Sequence, residues 1–92
     1  MQQSLTAGLD PRLLSNHRHA PVRQLAATLS TRNLDAYEGT ATRLAHDPAL
    51  GVRRELAPSL AHAEGPSEAV ERLKQILQHD ARHTVRRELA EL

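Results

Sequence analysis

Cysteine, phenylalanine and tryptophan are missing from this 92-residue chain, and Tyr37 is its single large aromatic side chain. Without cysteine there is no disulfide framework, no thiolate zinc site and no cysteine nucleophile, a composition that suits a reducing cytosol. Without aromatic rings a rounded core would be poorly filled, whereas helices packed on helices need only short and branched aliphatics at close approach. The apolar content is mostly Leu and Ala, with four Val and one Ile. No run approaches the ~20 apolar residues that cross a bilayer. Met1-Gln2-Gln3-Ser4-Leu5-Thr6 has no basic head followed by an apolar stretch. The expected location is therefore the cytoplasm, with no membrane partner. Charge of one sign is not in excess either: the formal net charge is +1, so any attraction to nucleic acid or lipid must come from a local patch.

What the chain does contain is a duplicated phrase. His46-Asp47-x4-Val52-Arg53-Arg54-Glu55-Leu56-Ala57 returns 33 residues later as His79-Asp80-x4-Val85-Arg86-Arg87-Glu88-Leu89-Ala90. Leu, Ala and Arg are abundant enough to coincide, but the His-Asp pair, the Val and the Glu are not. A period in this range, without Gly-rich strand punctuation, marks stacked helical hairpins. Ser67, after Gly65-Pro66, is the expected N-cap of a helix over about 67–79 with Val70, Leu73, Ile76 and Leu77 on one face. Asp80 is expected to cap the next helix, in which Val85, Leu89 and Leu92 recur at i, i+4 and i+7.

One period earlier the same pattern gives a helix from about Leu34 to His46, carrying Tyr37, Ala41 and Leu44. A second follows from about Pro48 with Val52, Leu56 and Leu60, stopped by Ala63-Glu64-Gly65-Pro66. Pro58 inside that helix deletes a backbone hydrogen bond, at a cost of ~3 kcal/mol or a kink, so the helix bends or ends there. A more diverged copy lies upstream, where Leu14, Val22 and Arg23 match Leu44, Val52 and Arg53 at a spacing of 30. There Asp10-Pro11 would cap a helix over 11–16, and Val22, Leu25, Ala26 and Leu29 would line the next until Ser30-Thr31-Arg32-Asn33 breaks it. The expected fold is all-α: one domain over 1–92, an α-α superhelix or solenoid of two and a half to three hairpins, at 10–30, 34–63 and 67–92.

Within the second and third copies an Asp is followed six residues later by an Arg, with Val immediately before the Arg and small or aliphatic residues at helical spacing after it. This pattern resembles the HEAT repeat, in particular the short bacterial HEAT-like form also found in phycobilisome lyases. Asp47 with Val52-Arg53 and Asp80 with Val85-Arg86 match fully, whereas the first copy has Val22-Arg23 but His17 at the Asp position. The resemblance covers roughly residues 10–92 and implies a ladder of Asp and Arg side chains between neighbouring repeats. Asp47, Arg53, Asp80 and Arg86 would then be structural, with His17 interrupting the first rung. An Asp at a helix start accepts from free N–H groups and an Arg fork reaches a neighbouring loop, an arrangement worth about 1 kcal/mol when partly exposed. A HEAT-like di-metal hydroxylase carries His-Glu directly after Val-Arg, where this chain has Arg54-Glu55 and Arg87-Glu88, so that activity is not implied. A HEAT-like branch repairing alkylated DNA uses aromatic side chains, of which only Tyr37 is present, expected in the core.

No Gly-rich phosphate loop, serine elbow or paired-carboxylate arrangement stands out, so no enzyme, cofactor or catalytic residue is expected. His46 and His79 occupy equivalent positions, about 10 Å apart between packed helix axes, and cannot share an ion; they read as helix-end residues. His79 with His83 is the remaining metal hypothesis, and it spans a predicted loop.

With Val52, Leu56 and Leu60 inward, Arg54 points away from the core, and Arg87 does the same one repeat on. The first-copy equivalent is Gln24, and a turn later the strip continues through Thr28, Pro58 and Glu91. In HEAT-like stacks the second helices line the concave surface, so the resemblance makes this strip the groove. The bland alternative is a solvated face with Arg87 pairing Glu91 at i, i+4. The expected function is a non-catalytic protein-binding or scaffold module. Gln24, Arg54, Arg87 and Glu91 would meet the partner, and Val85, Leu89 and Leu92 on an uncovered end helix point to self-association, docking on a partner, or origin in a longer array. The alternatives are nucleic-acid binding through Arg18, Arg23, Arg54 and Arg87, and a non-catalytic subunit of a chromophore-lyase-like enzyme.

Overall fold

A computed structural model describes residues 9–92, which are helical with no strand among them. Six α-helices follow one another: α1 Pro11–Leu14, α2 Ala20–Thr31, α3 Leu34–Leu44, α4 Leu50–Ser59, α5 Ser67–Gln78 and α6 His83–Ala90. A single 3-10 turn, Leu60–His62, extends α4. Each helix packs on the one two places further along: α1 on α3 on α5, and α2 on α4 on α6. The odd and even helices thus form two layers, with the aliphatic core between them.

The starts and stops follow local chemistry. Asp10 accepts from the Arg12 N–H at 2.9 Å and Pro11 opens α1, as expected, although α1 ends at Leu14. The α4 helix passes Pro58 and goes over into the 3-10 turn at Leu60, so the proline is followed at once by the end of the α-helix. Ser59 donates to the Glu55 carbonyl at 2.7 Å in that last turn. Helix α5 covers nearly the expected span, but its N-cap is Pro66 and Ser67 is already helical without a side-chain cap bond. Asp47 and Asp80 do not cap helices directly either. Each accepts from the N–H two residues on, Ala49 and Arg82, at 2.9 Å. They therefore hold the turn that leads into α4 and α6.

The buried set is mostly Leu, Ala and Val, and Leu34, Leu44, Leu56, Leu73 and Leu77 are its large members with essentially no exposure. In α2 the inward residues are Ala26, Ala27, Ser30 and Thr31, while Leu25 is 44% exposed and Val22 and Leu29 are half-buried. The reason is close approach: small side chains let α2 lie against both α3 and α4, and the two buried hydroxyls donate to Ala27 and Thr28 carbonyls of their own helix at 3.1 and 2.9 Å. Tyr37, expected in the core, is half-buried at a kink in α3, with the Arg12 guanidinium 5.6 Å from its ring centre. The loop that leaves the second hairpin ties back through backbone to the end of the first hairpin and the start of the second. Glu64 N–H donates to the Thr31 carbonyl at 2.9 Å and Leu34 N–H to the Glu64 carbonyl at 2.8 Å.

Val85 and Leu89 are buried, because that face of α6 packs on α4 and α5. The end surface expected from Val85, Leu89 and Leu92 is therefore reduced to Leu92, 48% exposed.

Candidate interaction surface

Asp–Arg contacts run from hairpin to hairpin, in a register that the duplicated phrase alone does not specify. Each Arg reaches forward to the Asp of the following hairpin. Arg23 donates to Asp47 from Nε at 2.7 Å and from Nη2 at 3.1 Å; Arg53 donates to Asp80 from Nε at 2.8 Å. The remaining Nη1 of each donates back to carbonyls of its own inter-helix loop, His17 and Arg18 for Arg23, Asp47 and Pro48 for Arg53. Each guanidinium therefore ties two loops at once. The carboxylates are nearly sealed, with 6% and 5% of the Asp47 and Asp80 side chains exposed, so these rungs are less solvated than an exposed surface pair. Burial pushes the Asp80 carboxyl up, but the Arg82 N–H and the Arg53 guanidinium outweigh it and hold its pKa below the ordinary carboxylate value.

Arg23 thus enters the ladder, although the first copy lacks the Asp. Arg86 sits at the last position and donates from Nη1 to the Asp80 carbonyl, as its equivalents do to their own loops. No carboxylate reaches its Nε among the described residues.

On the second-helix face Gln24, Gly51, Arg54, Glu55, Pro58 and Glu88 line one shallow groove. Arg54 is on the expected face but is not free: its Nη2 donates to Glu88 at 2.8 Å, one hairpin on. Thr28 donates to Glu55 at 3.3 Å across the preceding step. The Gln24 amide lies over Gly51, where a Cβ would come within 2.5 Å of its Nε2. The strip is therefore cross-linked along its length. Arg87, exposed on α6, makes no ion pair among the described residues, and Glu91 beyond the helix is exposed without pairing it. Glu88 and Glu55, absent from the expected surface, are the acceptors of this strip. Their invariant distance from the Asp in both copies was the available signal.

The first-helix layer has a tie of its own, a two-pronged Arg72 to Glu38 contact at 2.6 and 2.8 Å. This pairing raises the Arg72 guanidinium above, and lowers the Glu38 carboxyl below, their ordinary pKa values.

The histidines do not assemble a site. His79 Nδ1 lies 2.8 Å from the Gln75 carbonyl, His83 begins α6, and no three His, Asp or Glu side chains converge as metal ligands among the described residues. His17 Nδ1 accepts from the His19 N–H at 3.1 Å, the same i+2 contact that Asp47 and Asp80 make. Compared with protein-family models, with curated proteins and with solved structures, the chain gives no match.

Proposed function

We propose that this chain is a short HEAT-like α-solenoid that acts as a non-catalytic protein-binding module. The observation that carries the reading is the repeated rung: the same Arg atoms reach the next hairpin's Asp at Arg23–Asp47 and Arg53–Asp80. A side-chain device that recurs with the fold's period spends polar residues on holding hairpins in line, which is how repeat stacks build extended surfaces. The second-helix groove offers such a surface, polar, shallow and held in shape by Arg54–Glu88 and Thr28–Glu55. A pre-shaped groove loses little conformational freedom on binding, which favours a protein partner. Arg23 and Arg54 are engaged by Asp47 and Glu88, so two of the four guanidinium groups of the nucleic-acid alternative are already neutralised. That alternative is the weaker one for this reason.

Affinity capture with the chain as bait, compared with Arg54→Glu/Arg87→Glu, tests the groove. Loss of specific partners, with captured complexes persisting in wild type at raised salt, is the expected result. The same partners on both baits would sink the groove reading. Because Arg54→Glu also breaks the Glu88 tie, Arg87→Glu alone serves as the variant that leaves the internal contacts intact.

A further inference from the structure

The structure contains three lines of ion pairs that run from one hairpin to the next, and on each line the third hairpin carries a member that makes no hairpin-to-hairpin pair among the described residues. On the ladder line, Arg23 and Arg53 are filled by Asp47 and Asp80, while Arg86 has its Nη1 fixed on the Asp80 carbonyl and its Nε without a carboxylate among the described residues. On the groove line, Arg54 is filled by Glu88, and its equivalent Arg87 makes no ion pair among the described residues. On the first-helix layer, Glu38 is filled by Arg72, and its equivalent Glu71 is 67% exposed, with only a loose 3.7 Å contact to Lys74.

We infer that this end of the stack is a docking site for a helical hairpin of a partner chain that carries Asp-x7-Glu, the Asp seated on Arg86 and the Glu on Arg87. The motif follows from the two filled positions. In Asp80-x7-Glu88 the Asp accepts from Arg53 and the Glu from Arg54, one hairpin back. Arg86 is already tethered by one bond to its own loop, where Arg23 and Arg53 each make two, so part of the arrangement that seats the Asp is in place.

The other end of the stack cannot supply this partner. His17 stands where the ladder needs an Asp, and its Nδ1 is occupied as acceptor of the His19 N–H. The neutral ring then presents an N–H at Nε2, and the protonated ring is a cation, so neither form accepts from an Arg. Leu25 stands where the Glu of the motif would be. A second copy stacked head to tail would leave both Arg86 and Arg87 unpaired. A second copy in that arrangement is therefore not the occupant, and the pairing pattern runs in one direction. This deepens the solenoid reading and rests on its hairpin register, but not on the groove, so the two fail separately.

The test lengthens the full chain by a copy of its own residues 60–92 joined after Leu92, which keeps the 33-residue period and places the copied Asp80 and Glu88 at the spacings of the filled rungs. The expected result is more helix and a higher melting temperature in one transition. Arg86→Ala/Arg87→Ala should then lower the melting temperature of the extended chain by roughly 4 °C more than that of the 92-residue chain, which loses only the Arg86 bond to the Asp80 carbonyl. Reversing the ladder charges, Arg86→Asp with Arg in place of the copied Asp80, should restore part of the loss. An appended unit that adds no helix would overturn the proposal, as would equal effects of the double substitution in the short and extended chains. So would Arg86-dependent self-association of the 92-residue chain in sedimentation, which would make a second copy the occupant.

Discussion

At the scale of single residues, Asp80 is the side chain with the most to lose. Its carboxylate accepts from the Arg82 N–H and from Arg53 while almost fully enclosed. Its pKa is held down in the folded chain, so its charge stabilises the fold above the ordinary carboxylate pKa, and this contribution is lost as pH falls through the lowered folded-state value. Asp80→Asn keeps an acceptor for the turn and discards the charge. The variant is expected to be less stable at neutral pH, by about 1–3 kcal/mol for a charged contact removed from an enclosed site. It should also lose less of its remaining stability on acidification. Urea midpoints of both proteins at about pH 7 and about pH 3 decide this; parallel losses would show that Asp80 contributes no charge-dependent stability. The pairing that matters here was legible as a residue type and a spacing. Its direction was not, because Asp47 receives Arg23 from the preceding hairpin and only the packing of α2 on α4 reveals that step.

At the scale of elements, two glycines make opposite predictions. Gly65, read from the sequence as a helix stop, has φ 139°, and a Cβ there would lie 2.8 Å from the Leu34 Cβ and 3.2 Å from the backbone nitrogens of Leu34 and Asp35. This is the strand of loop whose neighbour Glu64 bonds Thr31 and Leu34. Gly65→Ala therefore pays for both a left-handed backbone and a contact with a chain that has little room to move, about 1–3 kcal/mol. Gly39 lies inside α3 with nothing within 4 Å of its missing Cβ. Gly39→Ala should stabilise by about 0.5–1 kcal/mol through lower unfolded-state entropy and better helix propensity. Thermal or urea unfolding of the pair must give opposite signs, and a shared sign would contradict the loop geometry. Helix α5 was legible to within a residue at its C-terminal end because one apolar stripe is clean along its whole length. The face of α2 was legible only at Ala26, because Ala27, Ser30 and Thr31 complete the buried set while Leu25 is exposed. Hydrophobic periodicity weighs Leu25 above Ala26, whereas helices at close approach favour the smaller side chain.

At the scale of the whole molecule, the balance between charge and apolar burial decides what holds the two layers together. The ion pairs are conspicuous, yet Arg12–Asp10, Arg54–Glu88, Arg72–Glu38 and Lys74–Glu71 each have at least one side chain a third or more exposed. Such pairs contribute about 0–1 kcal/mol apiece and are screened by salt. The two enclosed rungs respond less to salt because water and ions do not reach the Asp oxygens freely. Against these stands a core in which Leu34, Leu44, Leu56, Leu73 and Leu77 are all essentially fully buried. Truncating one such leucine costs about 2–5 kcal/mol, more than several exposed pairs combined. Leu77 lies on α5, between the hairpin partner α6 and the earlier helices α3 and α4, so Leu77→Ala opens a cavity where both layers meet. The chain in about 1 M NaCl should therefore lose less stability than Leu77→Ala loses in dilute buffer. Urea unfolding of the two at the same temperature makes the comparison, with the salt stock correction applied to both. A salt-induced loss equal to or larger than that of Leu77→Ala would mean that the surface pairs, and not the aliphatic seam between the layers, hold the helices together.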